Sequence, residues 1–117
     1  MKILVLDDDH VLTMILSDHL TDRGHKVISA YKGNLAANFC EDEEFDVVIV
    51  DFVLADMNGF DVLERLRECN RKARAIIITG FPELLKDQSP RLKELDVEAV
   101  LEKPFSFSKV DELVDKI

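Results

Sequence analysis

FDVVIVDFVLADMNG, residues 45–59, is the stretch on which the reading of this chain turns. Val47, Val48, Ile49 and Val50 run without a polar interruption into Asp51, with Phe45 just ahead of them. A short apolar run bounded by turn residues reads as a strand buried on both faces, as in a parallel sheet. Such a strand delivers Asp51 to its carboxyl end, the edge where open α/β sheets place their ligand sites. Ala55 to Gly59 form a loop. The helix after it has Phe60, Leu63 and Leu66 as its apolar stripe, with Val62 and Cys69 at the flank and Glu64, Arg67 and Glu68 facing water.

Outward from this stretch the same alternation repeats. Ile3 to Leu6 reads as a first strand, ending at Asp7-Asp8-Asp9. Leu12, Ile15, Leu16 and Leu20 recur with helical spacing, and Gly24 is a stop signal. Lys26 to Ala30 is a weaker strand suited to a sheet edge, and Asn34 to Asp42 a helix with Leu35, Phe39 and Ala36 inward. Ala75 to Thr79 is a fourth strand, followed at once by Gly80. Pro82 to Asp87 reads as a turn or short helical piece, and Ser89-Pro90 as a cap and first-turn proline opening a helix through Leu95. Glu98 to Glu102 is the fifth strand, ending at Lys103-Pro104, and Ser106 or Ser108 caps a last helix through Ile117. Five strands alternating with five helices imply right-handed crossovers and a parallel sheet covered on both faces.

The 117 residues suit one domain, 1–117, with 47% hydrophobic and 33% charged residues. No run is long enough to cross a bilayer, and no signal-type start precedes the first strand. Cys40 and Cys69 lack metal-ligand spacing and read as reduced, packed thiols of a cytoplasmic protein. His10, His19 and His25 form no ligand-spaced cluster and read as surface residues. A net charge of -9 argues against direct binding of nucleic acid or an anionic membrane, and suits an acidic pocket that collects a divalent cation.

Four predicted strands end in polar residues: Asp7-Asp8, Asp51, Thr79 and Lys103. Carboxyl ends of parallel strands share one edge, so these side chains converge although they are far apart in sequence. Three carboxylates repel unless a cation sits among them, and hard oxygen ligands suit magnesium. Lys103 and the Thr79 hydroxyl can then hold phosphoryl oxygens, in a transfer governed by positioning and electrostatics. Asp9 reads as a helix cap.

The pieces ILVLDDD, VVIVDFVLADMNGFDVL, AIIITG and LEKPF, in this order, resemble the receiver domains of two-component response regulators over essentially the whole chain. The resemblance implies a flavodoxin-like, doubly wound five-stranded sheet in the order 2-1-3-4-5. It implies Asp51 as phosphoacceptor and nucleophile, Asp7 and Asp8 as the acidic pair with Asp8 the more direct magnesium ligand, and the Val53 backbone carbonyl as a further ligand. Thr79 matches the switch hydroxyl, Lys103 the lysine that pairs with the phosphoryl group, and Lys103-Pro104 a cis bond. The implied partners are a histidine kinase or histidine phosphotransfer protein and an output domain or effector; a homodimer is left open. On this reading the chain is a signalling switch that catalyses its own phosphorylation and dephosphorylation, either standing alone or cut from a longer protein.

The chain also departs from the pattern. Ala55 replaces the usual loop proline, Val100 the frequent aromatic residue of strand five, and Asp96-Val97 the small residues before it. By the resemblance Val53 and Phe81 flank the phosphoryl group, and neither side chain can orient a water, so slow self-hydrolysis is expected. Two rival readings share these residues. Asp7-Asp8-Asp9-His10-Val11 fits the D-x-D-x-[TV] motif of haloacid-dehalogenase-type phosphatases, with Asp7 as nucleophile and Asp9 as acid/base. A receiver-like module that binds a partner without phosphorylation is the other.

Overall fold

The computed structural model describes residues 1–35, 38 and 43–117. Five strands, β1 (Lys2–Leu6), β2 (Lys26–Ala30), β3 (Val47–Asp51), β4 (Arg74–Thr79) and β5 (Val97–Glu102), form one sheet in the order β2-β1-β3-β4-β5. Every pairing is parallel. Among the described residues the α-helices are α1 (His10–Asp22), α2 (Gly59–Arg67), α3 (Ser89–Glu94) and α4 (Phe107–Asp115), with a 3-10 turn at Pro82–Leu85. The helix expected at Asn34 to Asp42, with Phe39, Ala36 and Cys40, lies mostly outside the described residues; Leu35 packs on the core as expected.

Period-two alternation splits the strands between two cores. Leu4, Leu6, Val48, Val50, Ala75 and Ile77 face one side, where Phe60, Val62, Leu63 and Leu66 of α2 cover them. Ile3, Val5, Val47, Ile49, Ile76 and Ile78 face the other, under Leu16 and Leu20 of α1 and Val110 and Val114 of α4. All five β3 residues are buried, which is why that stretch carries no alternation of polarity. β2 and β5 are the partly exposed edges.

Several local expectations are corrected. Ile15 is 47% exposed, and Leu16 and Leu20 alone make the buried ridge of α1 with Thr13. Arg67 turns inward, donating to the carbonyls of Leu95, Asn70, Arg71 and Ala73. Asn70, Arg71 and Ala73 lie in the loop after α2 and Leu95 ends α3, and a guanidinium's fan of donors satisfies their carbonyls without a carboxylate. The cap of α3 is Gln88, one residue before the expected Ser89, so proline falls in the first turn but no side chain accepts from the helix. Ser106 stands at the cap of α4 and likewise accepts no cap bond. Cys69 lies exposed beyond α2 and is disulfide-bonded, not a packed thiol; pairing follows spatial approach, which sequence spacing does not reveal. Its fellow cysteine is outside the described residues.

The stretch before β5 is irregular, as anticipated. Asp87 and Asp96 hold φ of 66° and 54°, the left-handed region that aspartate tolerates better than most residues. The β4–β5 register slips between Ala75 and Ile76, leaving Glu98 as the extra residue. α3 buries none of its residues; Arg91 ties it to Glu64 of α2.

Candidate functional site

The parallel ladders bring the tips of β1, β3, β4 and β5 to one edge. Asp51 closes β3 opposite Ile78, and Thr79 and Glu102 pair one step on. The backbone N–H of Lys103 donates to the Thr79 carbonyl at 2.8 Å, so the ladder itself aims Lys103 across the edge. The Lys103-Pro104 bond is cis. At the other end of the pocket the Asp7 N–H donates to the Ala30 carbonyl (3.1 Å), and the Thr13 hydroxyl donates to the Asp7 carbonyl (3.0 Å). Thr13 was missed by the sequence reading because a buried threonine in a helix carries no motif; its only signal was a polar residue on the inward face of α1.

Side chains converge as the strand ends require. The Lys103 ammonium lies 2.9 Å from Asp51 Oδ2 and 2.8 Å from Asp7 Oδ2. Asp51 Oδ1 accepts the Val53 N–H at 3.1 Å, and Asp7 Oδ1 the Asp9 N–H at 2.9 Å. Asp7 Oδ2 is buried and, despite its closeness to Lys103, has no partner in hydrogen-bond geometry. Asp7, Asp8 and Asp51 each offer a carboxylate oxygen within 4.8 Å of the others. Asp8 is exposed; the other two are buried.

Burial pushes the Asp7 carboxyl above its ordinary value, and Asp51 adds repulsion that Lys103 and the Asp9 N–H only partly offset. Burial alone would lower the Lys103 ammonium, but the close carboxylates of Asp7 and Asp51 prevail and hold it above its usual range. One ammonium thus serves two carboxylates, and the pocket keeps an excess of negative charge. A buried Asp7 oxygen that no aligned hydrogen bond satisfies, among three converging carboxylates, fits a hard divalent cation of magnesium's kind.

Thr79 is fully buried, and its Oγ1 accepts the Phe81 N–H at 2.9 Å. Its hydroxyl hydrogen has no acceptor among the described residues. The Val53 side chain is exposed, and its residue forms an isolated bridge with Asn58. Asp9 is spent on capping: its Oδ1 accepts from Val11 N and Leu12 N, both at 3.1 Å. An acid/base role for Asp9, as the phosphatase reading requires, conflicts with that cap. The histidines are apart from the pocket carboxylates. His10 stacks on Tyr31, His19 pairs with Asp111, and His25 contacts the N-terminal amine.

A clasp unseen in the sequence fixes the loop after β3. Asp56 Oδ1 accepts from Gly33 N (2.9 Å) and Oδ2 from Asn34 N (2.8 Å). These bonds, Asn34 first, hold the Asp56 carboxyl below its ordinary value. Gly33 permits the approach, because a Cβ there would collide with Met57 Cγ and stand 2.8 Å from its Sδ.

The family model of the response regulator receiver domain matches residues 3–115. The chain belongs to that family. This receiver is 29% identical over 115 residues to sporulation initiation phosphotransferase F of Bacillus subtilis, covering 98% of this chain and 91% of that protein. It is 31% identical over 110 residues to the probable transcriptional regulatory protein SilR of Salmonella typhimurium, covering 94% of this chain but only 47% of the relative. Among solved structures, response regulator protein TrrA from Thermotoga maritima, in complex with Mg(2+)-BeF, superposes with a TM-score of 0.82 at 25% identity, over 98% of this chain and 96% of the other. Receivers are signalling switches, which sets the phosphatase reading aside. No helix among the described residues is long and apolar enough to cross a membrane.

Proposed function

We propose that residues 1–117 form a phosphoacceptor receiver in which Asp51 takes a phosphoryl group from the phosphohistidine of a cytoplasmic histidine kinase or phosphotransfer protein. The observation that carries this is the bridge of Lys103 between Asp51 and Asp7 across three strand ends. Asp7, Asp8, Asp51 and the Val53 carbonyl would hold magnesium, which when bound neutralises charge on the transferring phosphoryl oxygens. Asp51 attacks phosphorus through a carboxylate oxygen as the phosphorus–nitrogen bond of the donor breaks. Lys103 then exchanges its contact with Asp51 for a phosphoryl oxygen, and the Thr79 hydroxyl supplies its free hydrogen to another. Because the Val53 N–H already orients Asp51 Oδ1, little reorganisation precedes attack.

The incoming partner has an apolar landing face. Val11, Met14 and Ile15 of α1 are 62%, 56% and 47% exposed, beside the acidic tip that α1 continues from. A donor helix with an apolar face would cover them. The signal leaves through the stretch after Thr79 and the adjoining β5, where Phe81, Leu84 and Val100 are exposed. The output domain or effector it reaches lies with a longer protein or a separate one; the chain spans about half of the transcriptional regulator it matches.

Intact mass after incubation with magnesium and acetyl phosphate tests the assignment. Wild type gains one phosphoryl group and Asp51→Asn gains none. Labelling retained in Asp51→Asn would overturn it, and no labelling of either protein would favour a module that binds its partner without phosphorylation. Followed over time, the same mass shift decays slowly, since neither Val53 nor Phe81 can position a water; Val53→Asn speeds the decay.

A further inference from the structure

We infer a second site, at the opposite edge of the sheet from Asp51, that binds a compact and multiply charged oxyanion such as a chain of phosphoryl groups. A cavity of about 570 Å³ lies there between the C-terminal ends of α2 and α3, under the start of β4 and β5. Its volume falls in the range of small-molecule sites. Arg67, Arg71, Lys72, Arg74 and Lys93 line it, five of the fifteen lysines and arginines in a chain of net charge -9.

The charge there is poorly compensated. Asp96 and Glu98 are the only acidic residues lining the cavity, and Glu98 is engaged by Arg74 at 2.8 Å. Arg67 spends its donors on backbone carbonyls, which fix its position, and Asp96 is the carboxylate that attracts its charge, so both acidic residues of the cavity are engaged by Arg67 and Arg74. Arg71, Lys72 and Lys93 are exposed and form no ion pair among the described residues. Cations gathered in this way repel one another, and a solvated protein face ordinarily intersperses both signs. The arrangement has a bland component, since Arg67 and Lys93 also suit the negative ends of the helix dipoles of α2 and α3. That account does not extend to Arg71 and Lys72, which sit in the loop between α2 and β4 and line the same cavity.

The Arg67 guanidinium, held in place by carbonyls, lies among the lining residues, and the exposed Arg71, Lys72 and Lys93 offer cations free of ion pairs among the described residues. Guanidinium forks and ammonium points together match tetrahedral oxyanions. A single phosphate would engage one or two of these cations, whereas a linked chain of phosphoryl groups reaches more of them. The overall negative charge disfavours a long nucleic acid, which would meet the acidic remainder of the surface.

Titration calorimetry with inorganic tripolyphosphate tests this, in EDTA so that magnesium chemistry at Asp51 plays no part, and at constant physiological ionic strength. Wild type and Asp51→Asn should bind saturably at one site. The triple variant Arg71→Ser, Lys72→Ser, Lys93→Ser, all exposed positions, should lose about tenfold or more in affinity while melting as wild type does. Exchanging the same residues as Arg71→Lys, Lys72→Arg, Lys93→Arg should retain binding. Absent or non-saturable binding by wild type, or unchanged affinity in the serine variant, would overturn the site. Binding of polyglutamate but not tripolyphosphate would overturn it in favour of an acidic peptide partner.

Discussion

Asp7 and Asp56 are both carboxylates at loops beside one pocket, and the fold treats them in opposite ways. Asp7 is buried with its carboxyl held above the ordinary value, so ionising it costs the folded state stability as pH rises past the usual carboxylate range, and the cost persists at neutral pH. Asp7→Asn keeps an acceptor for the Asp9 N–H and removes that charge. The metal-free protein should therefore gain about 1 kcal/mol, or about 4–8 °C in melting temperature, while magnesium affinity falls; calorimetry and metal titration on the same variant check both. Asp56 is depressed by two backbone N–H donors, so its contribution is present above the unfolded value near 3.8 and lost as pH falls through the folded one. Asp56→Asn should unfold at lower urea than wild type at pH 7, and the two curves should converge in acid once the carboxyl is protonated in the folded state as well. A constant gap across pH would exclude a charge-based clasp. Asp9's cap was legible because a cap serves its own next turn. The clasp of Asp56 was not, since its partners Gly33 and Asn34 meet it only after β2 and β3 have taken their places in the sheet.

Helices were readable where packing and periodicity agree. In α2, Phe60, Val62, Leu63 and Leu66 are buried as their spacing requires, and Asn58 with Asp61 closes a reciprocal capping box at its start. In α1 the same spacing included Ile15, which stays half-exposed. Periodicity says which residues share a stripe, not how wide a stripe the sheet beneath can cover. Together with Val11 and Met14, Ile15 leaves an uncovered apolar patch next to the acceptor pocket, of the kind that marks a contact surface. Ile15→Glu should lower phosphotransfer from the cognate phosphohistidine partner by about tenfold or more and leave labelling by acetyl phosphate unchanged. Equal loss with both donors would mean a damaged pocket, and no loss with either would place the partner elsewhere. α3 was legible from Ser89-Pro90 although it has no apolar stripe: six residues long with none buried, it is tied to α2 by Arg91.

At the scale of the molecule, the alternation of elements and the uninterrupted apolar runs were enough for a parallel sheet covered on both faces. They were not enough for the strand order, because right-handed crossovers are compatible with more than one order; the order came from the resemblance and is the one observed. That order has a consequence in time. β1 and β2 pair first in the chain, β3 joins the free side of β1, and β4 and β5 follow outward, so no strand must insert between two already paired. The sheet can grow as the chain is made. Pulsed hydrogen exchange during refolding should show amides of β1 and β3 protected before those of β5; simultaneous protection would refute sequential growth. On the ribosome, Lys103 emerges 52 residues after Asp51, about 3–10 s later at ordinary synthesis rates. For that interval the carboxylates stand without their ammonium, and a newborn copy cannot yet answer a signal.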